Sequence, residues 1–125
     1  MADWVTVVVL VMQPSPLRDS LAALLRSIPS ISVVQEASDA ASGLLAVEVS
    51  RPAMVLLDAG LPDGDAWTVL RHVKARWPRT QCLVLTDTVQ LRRRAEAAGA
   101  HRALLKGFPA AKLSAVLEQL LQQAA

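Results

Sequence analysis

The sequence predicts an α/β protein, a parallel sheet with helices on both faces, and three observations carry that reading. Short runs rich in Val, Leu and Ile alternate with stretches of helical periodicity about five times along the chain. The apolar runs are continuous, the habit of strands buried on both faces of a parallel sheet. Each run leads to the next through one helical stretch, and such strand–helix–strand crossovers place successive strands parallel.

The elements follow in order. Residues 4–12, WVTVVVLVM, read as the first strand, ended by Pro14 and Pro16. Leu17, Leu21, Leu24, Leu25 and Ile28 form one helical stripe that Pro29 stops. Residues 31–37 make a second strand. Ser38 or Asp39 caps a helix running through residue 50, and Arg51-Pro52 breaks it. Residues 53–57, AMVLL, are a third strand ending at Asp58, followed by the turn-rich Gly60-Leu61-Pro62-Asp63-Gly64. Asp65 is expected to cap the next helix, which carries Trp67, Leu70, Val73 and Trp77 and is closed by Pro78. Residues 81–86, QCLVLT, are a fourth strand. Val89 to Ala98 is a helix with Gly99 at its C-terminal cap. Residues 102–105, RALL, are a fifth strand ending at Lys106. Pro109 starts a last helix with a stripe of Leu113, Val116, Leu117, Leu120 and Leu121. The tail Gln122-Gln123-Ala124-Ala125 is expected to add nothing structural.

At 125 residues the chain fits one domain, read as spanning residues 1–125. It is 53% hydrophobic and 19% charged, the balance of a packed globule, and its three Trp, single Phe and lack of Tyr make the core aliphatic. No apolar run reaches the roughly 18–20 residues that span a bilayer. No basic lead-in or cleavage pattern marks a signal peptide. Cys82 is the sole cysteine, which suits a reducing, cytoplasmic location. Net charge is +2 and the pI about 9.2. The Arg92-Arg93-Arg94 run lacks the clustering and platform of a nucleic-acid reader, so it reads as a solvated helix face, and direct nucleic-acid binding is not expected. The sequence carries no GxGxxG after the first strand, no GxxxxGK[ST] and no GxSxG, so a nucleotide-binding or hydrolase reading finds no support. His72 and His101 are expected on the surface, and no Cys/His spacing suggests zinc.

Ligands of open α/β sheets bind beyond the carboxyl ends of the strands. The first strand ends in Met12-Gln13, the third in Asp58, the fourth in Thr86 and the fifth in Lys106. Each alone is an ordinary strand-end residue. Together they bring an acid, a hydroxyl and a cation to one rim.

Four segments in order, AMVLLDAGLPDGDAW, CLVLTD, AAGAHRALLKG and PLRDSLAALL, resemble the receiver domain of two-component response regulators over essentially the whole chain. The resemblance implies a flavodoxin-like, doubly wound five-stranded parallel sheet of order 2-1-3-4-5 with five helices. It puts Asp58 in the phosphoacceptor place, Thr86 in the switch place and Lys106 in the place of the phosphate-binding lysine. Pro62 takes the loop proline, and Asp65 lies before the usual glycine, here Ala66. The resemblance also implies Mg²⁺ held by the acceptor Asp58, the backbone carbonyl of Gly60 and an acidic pair after the first strand. The partners it implies are a sensor histidine kinase or phosphotransfer protein, a homodimer mate at the last helix face, and a DNA-binding output domain beyond residue 125.

The chain departs from the family pattern at four places. Met12 and Gln13 stand where the acidic pair belongs; a thioether is no ligand for a hard cation and Gln13 is a poor one, so Mg²⁺ binding is expected to weaken by at least ~1.4 kcal/mol, a factor of ten. Asp87 stands where a small residue makes room for the phosphoryl group; it would repel that group, or turn inward and pair with Lys106 as if the site were filled. Ala103 replaces the aromatic surface reporter. Gly107-Phe108-Pro109 delays the proline that commonly follows the lysine. The sequence is therefore read as an atypical receiver in a histidine-kinase phosphorelay, accepting phosphate on Asp58 and altering the surface of its last strand and helix. The alternative is a pseudo-receiver, a phosphorylation-independent interaction or dimerisation module. Neither reading makes it an enzyme.

Overall fold

A computed structural model describes residues 5–124. Five parallel strands form one sheet in the order β2-β1-β3-β4-β5. They are β1 (Val7–Val11), β2 (Val33–Ala37), β3 (Met54–Asp58), β4 (Gln81–Thr86) and β5 (Arg102–Leu105), and between and after them run α1 (Pro16–Arg26), α2 (Ala40–Ser50), α3 (Asp65–Arg76), α4 (Val89–Ala97) and α5 (Ala110–Ala124). The expected class, strand number and order are all present.

Strand side chains alternate between two cores. Val8, Leu10, Met54, Leu56, Leu83 and Leu85 pack with Leu21, Leu25, Leu113, Leu117 and Leu120 of α1 and α5. Val9, Val11, Val55, Leu57, Cys82 and Val84 pack with Val47, Val69, Val73 and Ala95 of α2, α3 and α4. Burying each such aliphatic side chain contributes about 1.5–3 kcal/mol. The three central strands face a core on both sides, which is why their sequences are continuously apolar.

Helix starts are written in the sequence. Ser15 Oγ accepts from Arg18 N–H at 3.0 Å, and Thr88 Oγ1 from Leu91 N–H at 3.1 Å. Asp39 and Ser42 form a reciprocal capping box: Asp39 Oδ1 accepts from Ser42 N–H at 2.8 Å, and Ser42 Oγ from Asp39 N–H at 3.3 Å.

Several expected boundaries move. Trp4 lies outside the described residues, and regular pairing in β1 begins at Val7 and ends at Val11. Ile28 lies beyond α1 yet is buried, because the turn after Ser27 folds it back into the core. Asp65 does not cap its own helix. Gly64, at φ +73°, holds the cap position, and Asp65 Oδ2 instead accepts the N–H of Ala40 at 3.2 Å, tying the start of α3 to that of α2. The last helix runs on to Ala124, since Leu120 and Leu121 still pack on the core and carry the polar tail with them.

Candidate functional site

Strand register sets the candidate residues in steps along one rim. Asp58 pairs in register with Leu85, one residue before Thr86. Thr86 pairs with Leu105, one residue before Lys106, whose N–H donates to the Thr86 carbonyl at 2.8 Å. The structure thus brings together the Asp, Thr and Lys that the strand ends suggested.

The side chains of Asp58, Lys106 and Asp87 meet as an ion-pair cluster. Lys106 Nζ lies 2.8 Å from Asp58 Oδ1 and 3.4 Å from Asp87 Oδ1. Asp58 Oδ1 also accepts the Gly60 N–H at 2.8 Å. Asp58 and Lys106 are mostly buried, with side chains 13% and 21% exposed, while Asp87 is 57% exposed. Burial alone lowers the pKa of Lys106. Its hydrogen bond and charge attraction to Asp58, with Asp87 adding to both, outweigh burial and hold it above the ordinary lysine value. Of the two readings given for Asp87, the structure shows the pairing with Lys106, made by a side chain that stays largely exposed. Its carboxylate also approaches Gly60, where an added Cβ would stand 3.5 Å from Asp87 Oδ2 and 3.2 Å from Asp58 Oδ1.

Thr86 is fully buried, and its hydroxyl donates to the Leu104 carbonyl at 3.1 Å. At the end of β1, Met12 is buried in the α1–α5 core and Gln13 is exposed. Sequence reasoning missed Arg18, whose Nη1 donates to the Met12 carbonyl at 3.1 Å and to Ser38 Oγ at 3.0 Å. It also misplaced His101, which is half-buried. Its Nδ1 accepts the Cys82 N–H at 3.0 Å, and burial, helped by Lys74, lowers its pKa. His72 is exposed as expected.

A family model for the response regulator receiver domain matches residues 8–118. The chain belongs to this family. Receiver domains generally bind Mg²⁺ at their phosphorylation site. Over 70 residues this receiver is 37% identical to the DNA-binding transcriptional activator DevR/DosR of Mycobacterium tuberculosis, a match covering 56% of the chain and 32% of that protein. It is 35% identical over 83 residues to protein-glutamate methylesterase/protein-glutamine glutaminase 1 of Oleidesulfovibrio alaskensis, covering 66% of the chain and 22% of that protein. The chain therefore spans about a third or less of the curated relatives it matches. Among solved structures, a CheY-like response regulator receiver domain protein from Methanospirillum hungatei superposes with a TM-score of 0.85 at 20% identity, covering 97% of both chains. The receiver domain of NtrX from Brucella abortus gives 0.80 at 25% identity over 92% of this chain and 98% of that one. Among the described residues, no helix of this receiver is long and apolar enough to cross a membrane.

Proposed function

We propose that this receiver takes a phosphoryl group on Asp58 in a cytoplasmic histidine-kinase phosphorelay, with Lys106 as the cation that makes the transfer feasible. The observation that carries the reading is the 2.8 Å contact between Lys106 Nζ and Asp58 Oδ1. Attack by an Asp58 carboxylate oxygen on a phosphohistidine forms a P–O bond as the P–N bond breaks, and the imidazole leaves with a proton. Nucleophile and electrophile are both anionic, so a fixed ammonium beside them offsets their repulsion before the reaction starts. Thr86 supplies the switch: to reach a new phosphoryl oxygen its hydroxyl must leave the Leu104 carbonyl, exchanging one hydrogen bond for a stronger, charge-assisted one and releasing β5 from that contact.

The residues here do not fit Mg²⁺. Met12 offers sulfur and is buried, Gln13 is neutral and exposed, and the Met12 carbonyl already accepts from Arg18. Asp58 and Asp87 both face Lys106. Among the described residues, no group of three or more His, Cys, Asp or Glu side chains could hold a metal ion. This makes the chain an atypical receiver, in which Asp58 and the Gly60 carbonyl are all that remain of the implied metal set.

A second reading rests on Asp87. A carboxylate already paired with Lys106 imitates an occupied site, which favours a module that engages partners without phosphorylation. Incubation with a small phosphodonor in excess, with Mg²⁺ or with EDTA, separates the two. The first reading expects a mass gain of one phosphoryl group that disappears in Asp58→Asn and persists in EDTA. No mass gain in the wild-type protein would overturn it and leave the second. The histidine kinase or phosphotransfer protein is placed at the Asp58 rim. A homodimer mate is placed at the α5 face, as is a DNA-binding output domain beyond residue 125. Residues 1–125 are read as a single domain.

A further inference from the structure

The charge of the chain is segregated in a way its net value of +2 conceals. Residues 66–105 hold eight of the 13 Lys and Arg but two of the 11 Asp and Glu, so this stretch carries +6 and the remainder −4. In the fold it supplies nearly all of α3, with β4, α4 and β5. Three of its cations converge on a groove of about 550 Å³ between α3 and α4, lined by Trp67, Arg71, Lys74, Ala75, Arg94 and Ala98.

The groove is built from both helices. Trp67, Arg71 and Lys74 stand at i, i+4 and i+7 of α3, one face of the helix. Arg94 crosses from α4 and lays its guanidinium over the Trp67 ring, 4.3 Å from the centroid. The stem of Lys74 runs across Gly99, where an added Cβ would meet Lys74 Cε at 3.0 Å. Ala75 and Ala98 are exposed and small, so the floor stays open and apolar. Among the described residues, ion pairs join Arg18 and Arg26 to Glu36, and Lys106 to Asp58 and Asp87. None engages Arg71, Lys74 or Arg94.

We infer that this groove docks an acidic amphipathic helix of a partner protein. Charge complementarity calls for an anion, since three cations line the groove and no carboxylate is among its lining residues. Guanidinium forks match carboxylates two bonds at a time. The alanine and indole floor decides the class of partner. A duplex backbone presents phosphates and sugars with no continuous apolar stripe and would leave much of that floor uncovered, whereas a helix with Glu flanking an apolar stripe covers floor and walls together. The spacing of Arg71 and Lys74, one turn apart, suits carboxylates one turn apart on the facing helix.

The test uses the whole chain and a labelled synthetic peptide with Glu at i and i+4 beside a Leu stripe, read by fluorescence anisotropy. A peptide of the same composition in scrambled order and a short DNA duplex serve as comparators. The patterned peptide is expected to bind best, with affinity falling about tenfold in Arg71→Glu/Arg94→Glu. Far-UV circular dichroism checks the fold; if the double variant does not fold, Arg71→Glu alone is expected to lower affinity. Equal binding by folded variant and wild type overturns the inference. So does equal binding of the scrambled peptide, or preference for the duplex.

Discussion

Asp87 Oδ1 lies 3.4 Å from Lys106 Nζ, so the lysine that pairs with Asp58 has a second carboxylate within reach. In the proposed transfer that contact would compete with an incoming phosphoryl group for the same ammonium and add negative charge near it. Asp87→Ala is expected to speed phosphoryl uptake on Asp58 by about two- to fivefold, the rate equivalent of an exposed ion pair worth ~0.5–1 kcal/mol. A time course of intact mass with excess phosphodonor measures it. A rate unchanged or slower in the variant contradicts the competition.

Thr86 gives a second expectation. Its buried hydroxyl bonds the Leu104 carbonyl, and Thr86→Val keeps the volume while removing the donor. The variant is expected to lose about 1 kcal/mol of stability in chemical denaturation. Thr86→Ser, which keeps the donor, should retain the contribution of the bond. Equal stability in the Val variant would mean the bond contributes nothing net.

Cys82 is expected to be inert in the folded protein. The thiol is buried near the start of β4, and burial pushes its pKa up to about 12 despite the opposing charge of Lys74. Since the thiolate is the reactive form, a thiol reagent at pH 8 should label it only after denaturant is added. Rapid labelling of the native protein would show that β4 opens readily.

His101 predicts the acid limb of stability. Its folded pKa is depressed below the ordinary 6.5, first by burial and then by Lys74. The unfolded chain therefore binds a proton before the folded one does. The stabilisation is full above about pH 6.5 and is lost as pH falls toward the depressed value. His101→Asn retains an acceptor for the Cys82 N–H and cannot titrate. Its unfolding midpoint is expected to vary less between pH 7 and 5 than that of the wild type; identical slopes would remove His101 as the cause.

Much of this was legible in the sequence, for identifiable reasons. Continuous apolar runs and single helical crossovers allow few topologies, so the sheet and the residues at its carboxyl ends could be read directly. The directions of side chains in turns could not. Asp87 directly follows β4 and Asp65 opens α3, places where local sequence permits several rotamers and tertiary contacts select one. Asp65 looked like a cap for its own helix and serves Ala40 instead, because Gly64 already takes the cap position. His101 looked exposed because a turn residue usually is; its role depends on an amide of β4 nineteen residues away in sequence. The basic α3–α4 groove was visible as composition, but the chain-wide net charge averaged it away.

The hydrogen bond from Gly60 N–H to Asp58 Oδ1 makes the two oxygens of one carboxylate unequal. In water they are interchangeable. Here Oδ1 is bound by both the Gly60 amide and Lys106, each at 2.8 Å, so Oδ2 keeps the available lone pairs and would be the point of entry in the proposed transfer. Once Oδ2 carries the phosphoryl group, Oδ1 is an acyl oxygen still held by two donors. Those donors draw electron density toward Oδ1 and make the carboxylate a better leaving group. In the proposed phosphorelay, the same cradle would both direct entry to Oδ2 and shorten the life of the adduct, which would make the loop after β3 the timer of the signal.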